Sequence, residues 1–236
     1  MKSKFTALVF GLSLIMLTTS CGGGHEAVDL DLSASSEQSE CLPKGCEDGH
    51  EAVDLGLSVK WATCNVGATT PSENGNYYSW GELETKQNYI LWGEYRFGEY
   101  KKFTKYCHDS FYGTVDNKET LEPDDDVANV NWGGNWRMPT QNEIQELIDK
   151  CTWEWMDNDG QTGYTVTGPN GNSIFLPVVG CKDERENDSY AGNYWSSSLS
   201  LEDSPVYAYE LHFNKFGIDC RENQRIYGLT VRPVRP

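Results

Sequence analysis

Apolar residues in the C-terminal half of the chain recur with the period of β-strands. In residues 207–213 they occupy every second position, the pattern of a strand with one buried face. Residues 164–167 and 174–178 flank the turn sequence GPNGN, which predicts a β-hairpin because Gly and Asn adopt the backbone angles of tight turns. Further strands are predicted at 59–62 and at 226–234, the latter at a sheet edge because it ends next to proline.

One amphipathic helix is predicted to begin after Thr140. Thr140 followed by Glu143 forms a capping box, in which each side chain bonds a backbone N–H that the first helical turn leaves unpaired. Apolar residues then follow at helical spacing, so that they form one stripe: Ile144, Leu147, Ile148 and Cys151. The charged residues of this segment fall on the other faces and are expected to be solvated.

The N-terminus has the pattern of an export signal. An apolar stretch from residue 5 to 17 follows Lys2 and Lys4 and leads into small residues, and it is too short for a membrane-spanning helix. Cys21 directly follows the sequence LTTS, which resembles the lipobox of bacterial lipoproteins. Residues 1–20 are therefore predicted to be a signal peptide, and Cys21 the acylated first residue of the mature chain. The alternative is an ordinary secretory signal with a chance cysteine.

A short duplication separates the tether from the folded domain. Residues 24–33 read GHEAVDLDLS and residues 49–58 read GHEAVDLGLS. The stretch between them is rich in Ser, Glu and Gly, a composition typical of flexible spacers. Two short copies are too few for a repeat fold. We therefore expect a lipidated flexible tether over residues 21–48 and a single domain over residues 49–236.

Charge and composition restrict the partners. The chain has 36 acidic and 19 basic residues, a net charge of −17. This balance argues against nucleic acid, whose binding depends on cationic side chains, and leaves the lipid as the expected contact with the membrane. Aromatic residues make up 12% of the chain and there are 23 glycines. Such a composition favours a turn-rich fold with short strands.

Two clusters could in principle bind metals. The acidic residues at 122–126 suit Ca²⁺, but they are also typical of a solvated loop or helix start. Cys41, Cys46 and His50 could bind zinc, whereas a disulfide within the spacer is simpler in an oxidising compartment. No hydrolase, metalloprotease or nucleotide-binding motif occurs. We expect no metal, no cofactor and no catalytic residues.

Several separated motifs together resemble a known family. They lie at residues 51–68, 78–82, 121–155, 163–180, 194–198 and 228–234, and include YSWGE, NWRMPT and GLTVRPV. This set resembles the Fibrobacter succinogenes major paralogous domain, a family abundant among predicted lipoproteins of Bacteroidetes. The resemblance implies a C-type-lectin-like α+β fold, with short antiparallel strands, one clear amphipathic helix and long loops. It also implies an outer-membrane location, on the periplasmic or the cell-surface face.

The function implied by this resemblance is non-catalytic binding of a glycan or of a host or partner protein, as in an adhesin. Two alternatives remain open. The chain could be a structural or assembly component of an outer-membrane surface complex. It could also oxidise cysteine in the manner of formylglycine-generating enzymes, which are distantly similar in fold, although this would require a reactive cysteine pair.

Residues 88–112 are the expected ligand-binding loop. This segment is the least patterned part of the domain and is dense in aromatic residues, which offer large contact faces at low entropic cost. It also contains the densest group of basic residues, which could form a positive patch on an acidic body. The ligand-binding residues are predicted to be Trp92, Tyr95, Arg96, Tyr100, Lys101 and Lys102.

The chain has eight cysteines, and two disulfides are expected. Cys64 and Cys151 lie inside the motifs that carry the family resemblance and are expected to pair. Cys181 and Cys220 are particular to this chain and form the second expected pair. Spacing alone does not determine the connectivity.

Overall fold

The computed structural model describes residues 50–158, 161–183, 190–202 and 204–236. The predicted signal peptide, Cys21 and the predicted tether lie outside these ranges. Within the described part, the strands are β1 Ala52–Val53, β2 Lys60–Ala62, β3 Thr152–Asn158, β4 Gln161–Thr167, β5 Ser173–Pro177, β6 Gly192–Leu199, β7 Tyr207–Asn214, β8 Gly217–Gln224 and β9 Val234–Arg235. The α-helices are α1 Val127–Trp132 and α2 Gln141–Lys150, and the 3-10 helices are Trp92–Glu94 and Pro123–Asp125.

The described strands form three antiparallel sheets of three strands each. Their orders are β1-β2-β9, β3-β4-β5 and β6-β7-β8. The second and third sheets are meanders whose neighbours in sequence pair directly, whereas the first joins the start of the domain to its end. The fold therefore consists mostly of antiparallel strands with few helices, which agrees with the α+β class that the sequence predicts.

Helix α2 confirms the prediction made from the capping box. The Thr140 side chain accepts a hydrogen bond from the Glu143 backbone N–H, and the Glu143 carboxylate accepts one from the Thr140 N–H. Ile144 and Leu147 are buried, because the apolar stripe faces the core. Arg137 forms a bidentate ion pair with Glu143, which ties the segment before the helix to its first turn.

The predicted hairpin and the strand at 207–213 are also present. Strands β4 and β5 pair in register on either side of the GPNGN turn. Strand β7 differs from the prediction in being buried on both faces. Glu210 is completely buried; its Oε1 accepts from Arg221 Nε at 2.9 Å, and its Oε2 has no hydrogen-bond partner. Burial raises the pKa of Glu210 to about 7.

The predicted strand at 226–234 is wrong over most of its length. Only Val234–Arg235 forms a strand, and the residues before it make single bridges to different parts of the chain: Gly228 to Lys182, Leu229 to Tyr78 and Thr230 to Tyr194. The segment is apolar because it crosses the core rather than because it follows one sheet. Strands β1, β3, β6 and β8 and helix α1 were not predicted.

The core consists of two hydrophobic clusters. The first surrounds Trp80, Phe103 and Trp195, and the second contains the buried face of α2 together with Leu211 and Phe213. Two fully buried arginines lie among these apolar residues, Arg225 and Arg232. A buried charge is costly unless it is hydrogen-bonded, and each guanidinium donates to several backbone carbonyls. Neither described α-helix is long and apolar enough to cross a bilayer.

Candidate functional site

The 88–112 loop has little regular structure beyond the 3-10 helix Trp92–Glu94. Its aromatic residues divide into an inner and an outer set. The inner set is buried and comprises Tyr89, Tyr95, Phe97, Phe103 and Tyr106. All of these except Tyr89 belong to the first hydrophobic cluster. Trp92 is half-buried and packs against the same cluster. The outer set faces solvent and comprises Tyr100 and Phe111, with Tyr112 half-buried beside them.

Tyr95 belongs to the inner set, so its ring is buried rather than exposed as the sequence predicts. Its side chain is only 4% exposed. The hydroxyl donates to the backbone carbonyl of Trp80 at 2.7 Å and accepts from Arg225 Nε at 2.9 Å. Burial raises the pKa of Tyr95 to about 12. The ring is held in the core by an arginine far away in the sequence, which local sequence could not reveal.

Most basic side chains of the loop are paired with carboxylates. Arg96 Nη2 lies 2.8 Å from Asp125 Oδ1, and Lys102 Nζ lies 2.8 Å from Glu99 Oε2. Lys105 bridges Asp125 and Glu122. Lys101 differs, since it makes no ion pair with any residue that the structure describes. The predicted basic patch therefore contains one lysine whose charge is not neutralised by a neighbouring carboxylate.

Lys101 instead packs on aromatic rings. Its ammonium lies 4.3 Å from the centroid of Phe111, 5.4 Å from Tyr100 and 5.9 Å from Tyr112. Tyr100 and Phe111 are 47% and 63% exposed. The backbone of Lys101 has a φ of 61°, a left-handed conformation that costs a non-glycine residue about 1 kcal/mol. The Lys102 N–H closes this turn on the Glu99 carbonyl at 2.8 Å, which fixes where the lysine emerges.

We call this group the Lys101 surface and define it as Trp92, Tyr100, Lys101, Phe111 and Tyr112. The rings form a continuous row of contacts. The centroids of Trp92 and Tyr100 are 5.8 Å apart, those of Tyr100 and Tyr112 are 6.4 Å apart, and those of Tyr112 and Phe111 are 5.1 Å apart. The last two contacts are edge-to-face, the geometry that aromatic quadrupoles favour. The result is an exposed aromatic surface with a cation fixed on it.

Three of the predicted ligand-binding residues thus belong to the Lys101 surface, namely Trp92, Tyr100 and Lys101. Arg96 and Lys102 lie in the same loop but in ion pairs. Phe111 and Tyr112 were missed as site residues. In the sequence these two aromatic residues are adjacent and have polar and glycine neighbours, without the helical or strand periodicity that is typical of a buried face. This pattern could have indicated that they are exposed.

The acidic residues at 122–126 are occupied by protein groups. Glu122 accepts from Lys105 and Lys118, and these hydrogen bonds lower its pKa to about 2. Asp125 accepts from Arg96, Lys105 and the Tyr106 hydroxyl. Asp126 caps helix α1 and also accepts from the Met138 N–H. In the part of the chain that the structure covers, no group of three or more His, Cys, Asp or Glu side chains is arranged to hold a metal.

The zinc alternative falls mostly outside the described ranges, which exclude Cys41 and Cys46. His50 is described, and its imidazole stacks on the Trp132 ring with 3.8 Å between centroids. The predicted lipidation site Cys21 also lies outside these ranges.

The expected disulfides are absent from the structure. Cys64, Cys151 and Cys220 carry free thiols, so neither the Cys64–Cys151 nor the Cys181–Cys220 bridge is formed. The packing explains the second case, because Cys181 belongs to the first hydrophobic cluster whereas Cys220 packs against the second. In the first case Cys64 lies beside Thr63 Oγ1 at 3.7 Å, and Cys151 packs at the end of α2.

The thiols for which a pKa shift is resolved are less acidic than a free cysteine. Burial raises the pKa of Cys107 and of Cys151, and it raises the pKa of Cys220 to about 12. The Cys107 thiol donates to the Asp109 carbonyl at 3.1 Å. A nucleophilic cysteine requires the opposite, a lowered pKa.

Comparison of the chain with protein-family models, with curated proteins and with solved structures finds no match in any of the three.

Proposed function

We propose that this chain is a cell-surface lipoprotein whose domain binds a glycan or a partner protein without catalysing a reaction, and that the Lys101 surface makes the contact. The observation that carries this proposal is the exposed aromatic group around Lys101. Exposed aromatic residues that touch one another are costly to leave in water and are characteristic of binding sites.

The physical properties of this surface suit an extended ligand. Tyrosine, tryptophan and phenylalanine contribute large contact areas while fixing few rotatable bonds. The Lys101 ammonium is already positioned by its turn and by the rings, so little side-chain entropy remains to be lost on binding. A ligand bearing an acidic or hydroxyl group could accept from this ammonium while its apolar face packs on Phe111 and Tyr100.

The overall charge supports selectivity. A net charge of −17 repels polyanions at long range, so an acidic ligand would gain affinity only where its charge meets Lys101. The same charge argues against nucleic acid. We propose a lipid anchor at Cys21 as the attachment to the outer membrane, on the strength of the lipobox resemblance.

A C-type-lectin-like fold is part of this proposal. The antiparallel strands, the single longer helix and the long irregular stretch before it are consistent with such a fold. Helix α2 follows the Arg137-Met138-Pro139-Thr140 motif on which the family resemblance partly depends. The membership of this family stays a proposal that rests on the sequence motifs.

The structure supports the two alternative functions, assembly and cysteine oxidation, to different degrees. An assembly role is favoured by the same exposed rings, because subunit interfaces are also rich in aromatic residues. A cysteine-dependent oxidase has little support, since burial raises the pKa of each described thiol for which a shift is resolved, including that of the buried Cys107.

The test is a glycan array probed with the full-length chain, together with identification of proteins that co-purify with it from membranes. Phe111→Ala and Lys101→Ala should each weaken a specific interaction, and Phe111→Ala by about 2 kcal/mol if it is a hot spot. Leu201→Ala is the matched control, because Leu201 is also exposed (45%) but is not part of the Lys101 surface.

A dominant glycan hit that Phe111→Ala abolishes supports binding of carbohydrate, and a co-purifying protein lost in the same variant supports assembly or adhesion. Binding that survives both Phe111→Ala and Lys101→Ala would overturn the assignment of the Lys101 surface.

A further inference from the structure

A cleft of about 540 Å³ lies apart from the Lys101 surface, at one end of the second and third sheets. It is formed by the ends of β3 and β4, the residues that lead into β6 and the turn between β7 and β8. Its lining includes Trp155, Asp157, Tyr190, His212, Lys215 and Phe216. This volume is within the range of protein sites for small ligands.

Two of the aromatic walls are almost fully exposed. Phe216 is 86% and Tyr190 81% exposed, the highest values among the large apolar side chains of the described chain. Trp155 forms the third wall and is half-buried, held edge-to-face against Tyr164 with 5.0 Å between centroids. Tyr164 in turn packs on Phe213 in the core. The cleft therefore has one ring anchored to the core and two rings open to solvent.

The position of Phe216 is set by a tight turn. Its backbone N–H donates to Asn214 Oδ1 at 2.8 Å, and the Asn214 carbonyl accepts from the Tyr164 hydroxyl at 3.1 Å. The turn is thereby tied to the ring that supports Trp155. A phenylalanine at a turn of this kind has no packing role inside the protein, because the hairpin directs it away from the core.

The described lining of the cleft contains charged groups of both signs. Asp157 accepts from Thr162 Oγ1 at 3.1 Å. On another side, the Lys215 ammonium lies 4.9 Å from the Phe216 ring centroid and forms no ion pair with a described residue. His212 is bonded through Nδ1 to Asp219 at 3.1 Å. Among its described residues, the cleft thus offers one carboxylate, one ammonium, and hydroxyl and imidazole groups around three rings.

This combination discriminates between classes of ligand. An anion would be attracted by Lys215 but repelled by Asp157, and a cation would meet the reverse. A purely apolar ligand would bury the charged groups without partners, which is costly. A neutral ring with hydroxyl groups at its rim and C–H bonds on its faces satisfies all of them, because hydroxyls donate and accept while the C–H face packs on the negative face of an aromatic ring.

We infer that this cleft binds a neutral pyranose, such as the terminal sugar of a glycan chain. It would be a second site, distinct from the Lys101 surface in position and in shape, since it is concave and takes a single sugar.

The experiment is saturation-transfer NMR on the full-length chain with the methyl pyranosides of glucose, galactose, mannose and N-acetylglucosamine, and with methyl glucuronide as a charged probe. At least one neutral glycoside should show transfer and the glucuronide should show less. Phe216→Ala should weaken that interaction at least tenfold. Tyr190→Ala is the second variant, and thermal melting verifies that each variant is folded.

Leu201→Ala is the matched control and should leave the signal unchanged, because Leu201 is exposed but lines neither the cleft nor the Lys101 surface. A signal that is lost in Phe111→Ala and kept in Phe216→Ala would assign the sugar to the Lys101 surface and overturn this inference. The inference is overturned if no neutral glycoside shows transfer, if the signal persists in both Phe216→Ala and Tyr190→Ala, or if the glucuronide binds as well as the best neutral sugar.

Discussion

Replacing Tyr95 by phenylalanine tests whether the 88–112 loop is built around a buried arginine. The change keeps the ring and removes only the hydroxyl, which donates to the Trp80 carbonyl and accepts from Arg225 Nε. A neutral hydrogen bond contributes about 1 kcal/mol and one to a charged group about 2 kcal/mol. Since both partners are left buried, the free energy of unfolding should fall by about 3 kcal/mol.

Reversible urea unfolding, followed by tryptophan fluorescence, measures this loss. The midpoint should fall while the slope stays unchanged, because the native surface is the same. Tyr100→Phe is the matched control; its ring is 47% exposed, so the free energy of unfolding should change by less than about 0.5 kcal/mol. If Tyr95→Phe is as stable as the control, the hydroxyl does not hold the loop and the reasoning fails.

Three further predictions concern other parts of the chain. Glu210 has a pKa of about 7 when folded, against 4.5 as the ordinary value, so the folded state binds the proton more tightly. The stabilisation that the protonated Glu210 contributes is complete below pH 4.5 and is lost as the pH rises through 7. In urea unfolding between pH 5 and 7, the free energy of unfolding of the wild type should therefore fall by up to about 1.4 kcal/mol per pH unit more than that of Glu210→Gln. An equal dependence on pH in the two proteins would contradict this. Thr140→Ala removes the cap of α2 and should cost about 1 kcal/mol in the same assay, whereas the exposed Thr104→Ala should cost less. Mass spectrometry of membrane-extracted protein should find residues 1–20 absent and a lipid on Cys21, and acylation that persists in Cys21→Ala would exclude the anchor.

The helix and the hairpin could be predicted because their signals are local. Thr140 and Glu143 are three residues apart, and the GPNGN turn lies between the strands that it joins. The division of the loop aromatics could not be predicted in this way. Tyr95 and Tyr100 lie five residues apart in similar surroundings, and what separates them is Arg225, which reaches only Tyr95. Because Arg225 is distant in the sequence, the burial of Tyr95 cannot be recognised from the pattern of residues within the loop.

The same limit applies to the cleft and to the last predicted strand. Phe216 is exposed because of a turn whose partner is Tyr164, on another sheet. Residues 226–233 read as a strand because their side chains are apolar, but they are buried by crossing between elements. The spacing of apolar residues indicates that a segment is buried, but it does not indicate which other element packs against it.

The pairing of β2 with β9 has a consequence for the order in which the domain folds. Trp61 lies opposite Val234, and Arg232 donates to Asn65 and to the carbonyls of Ala62 and Thr63. The first sheet therefore cannot close until residues 232–235 reach residues 60–65. Pairings across such a sequence distance slow folding, since a long loop must be ordered before they form. A chain truncated before Arg232 would therefore remain incompletely folded, and Trp61 and its neighbours would stay sensitive to protease.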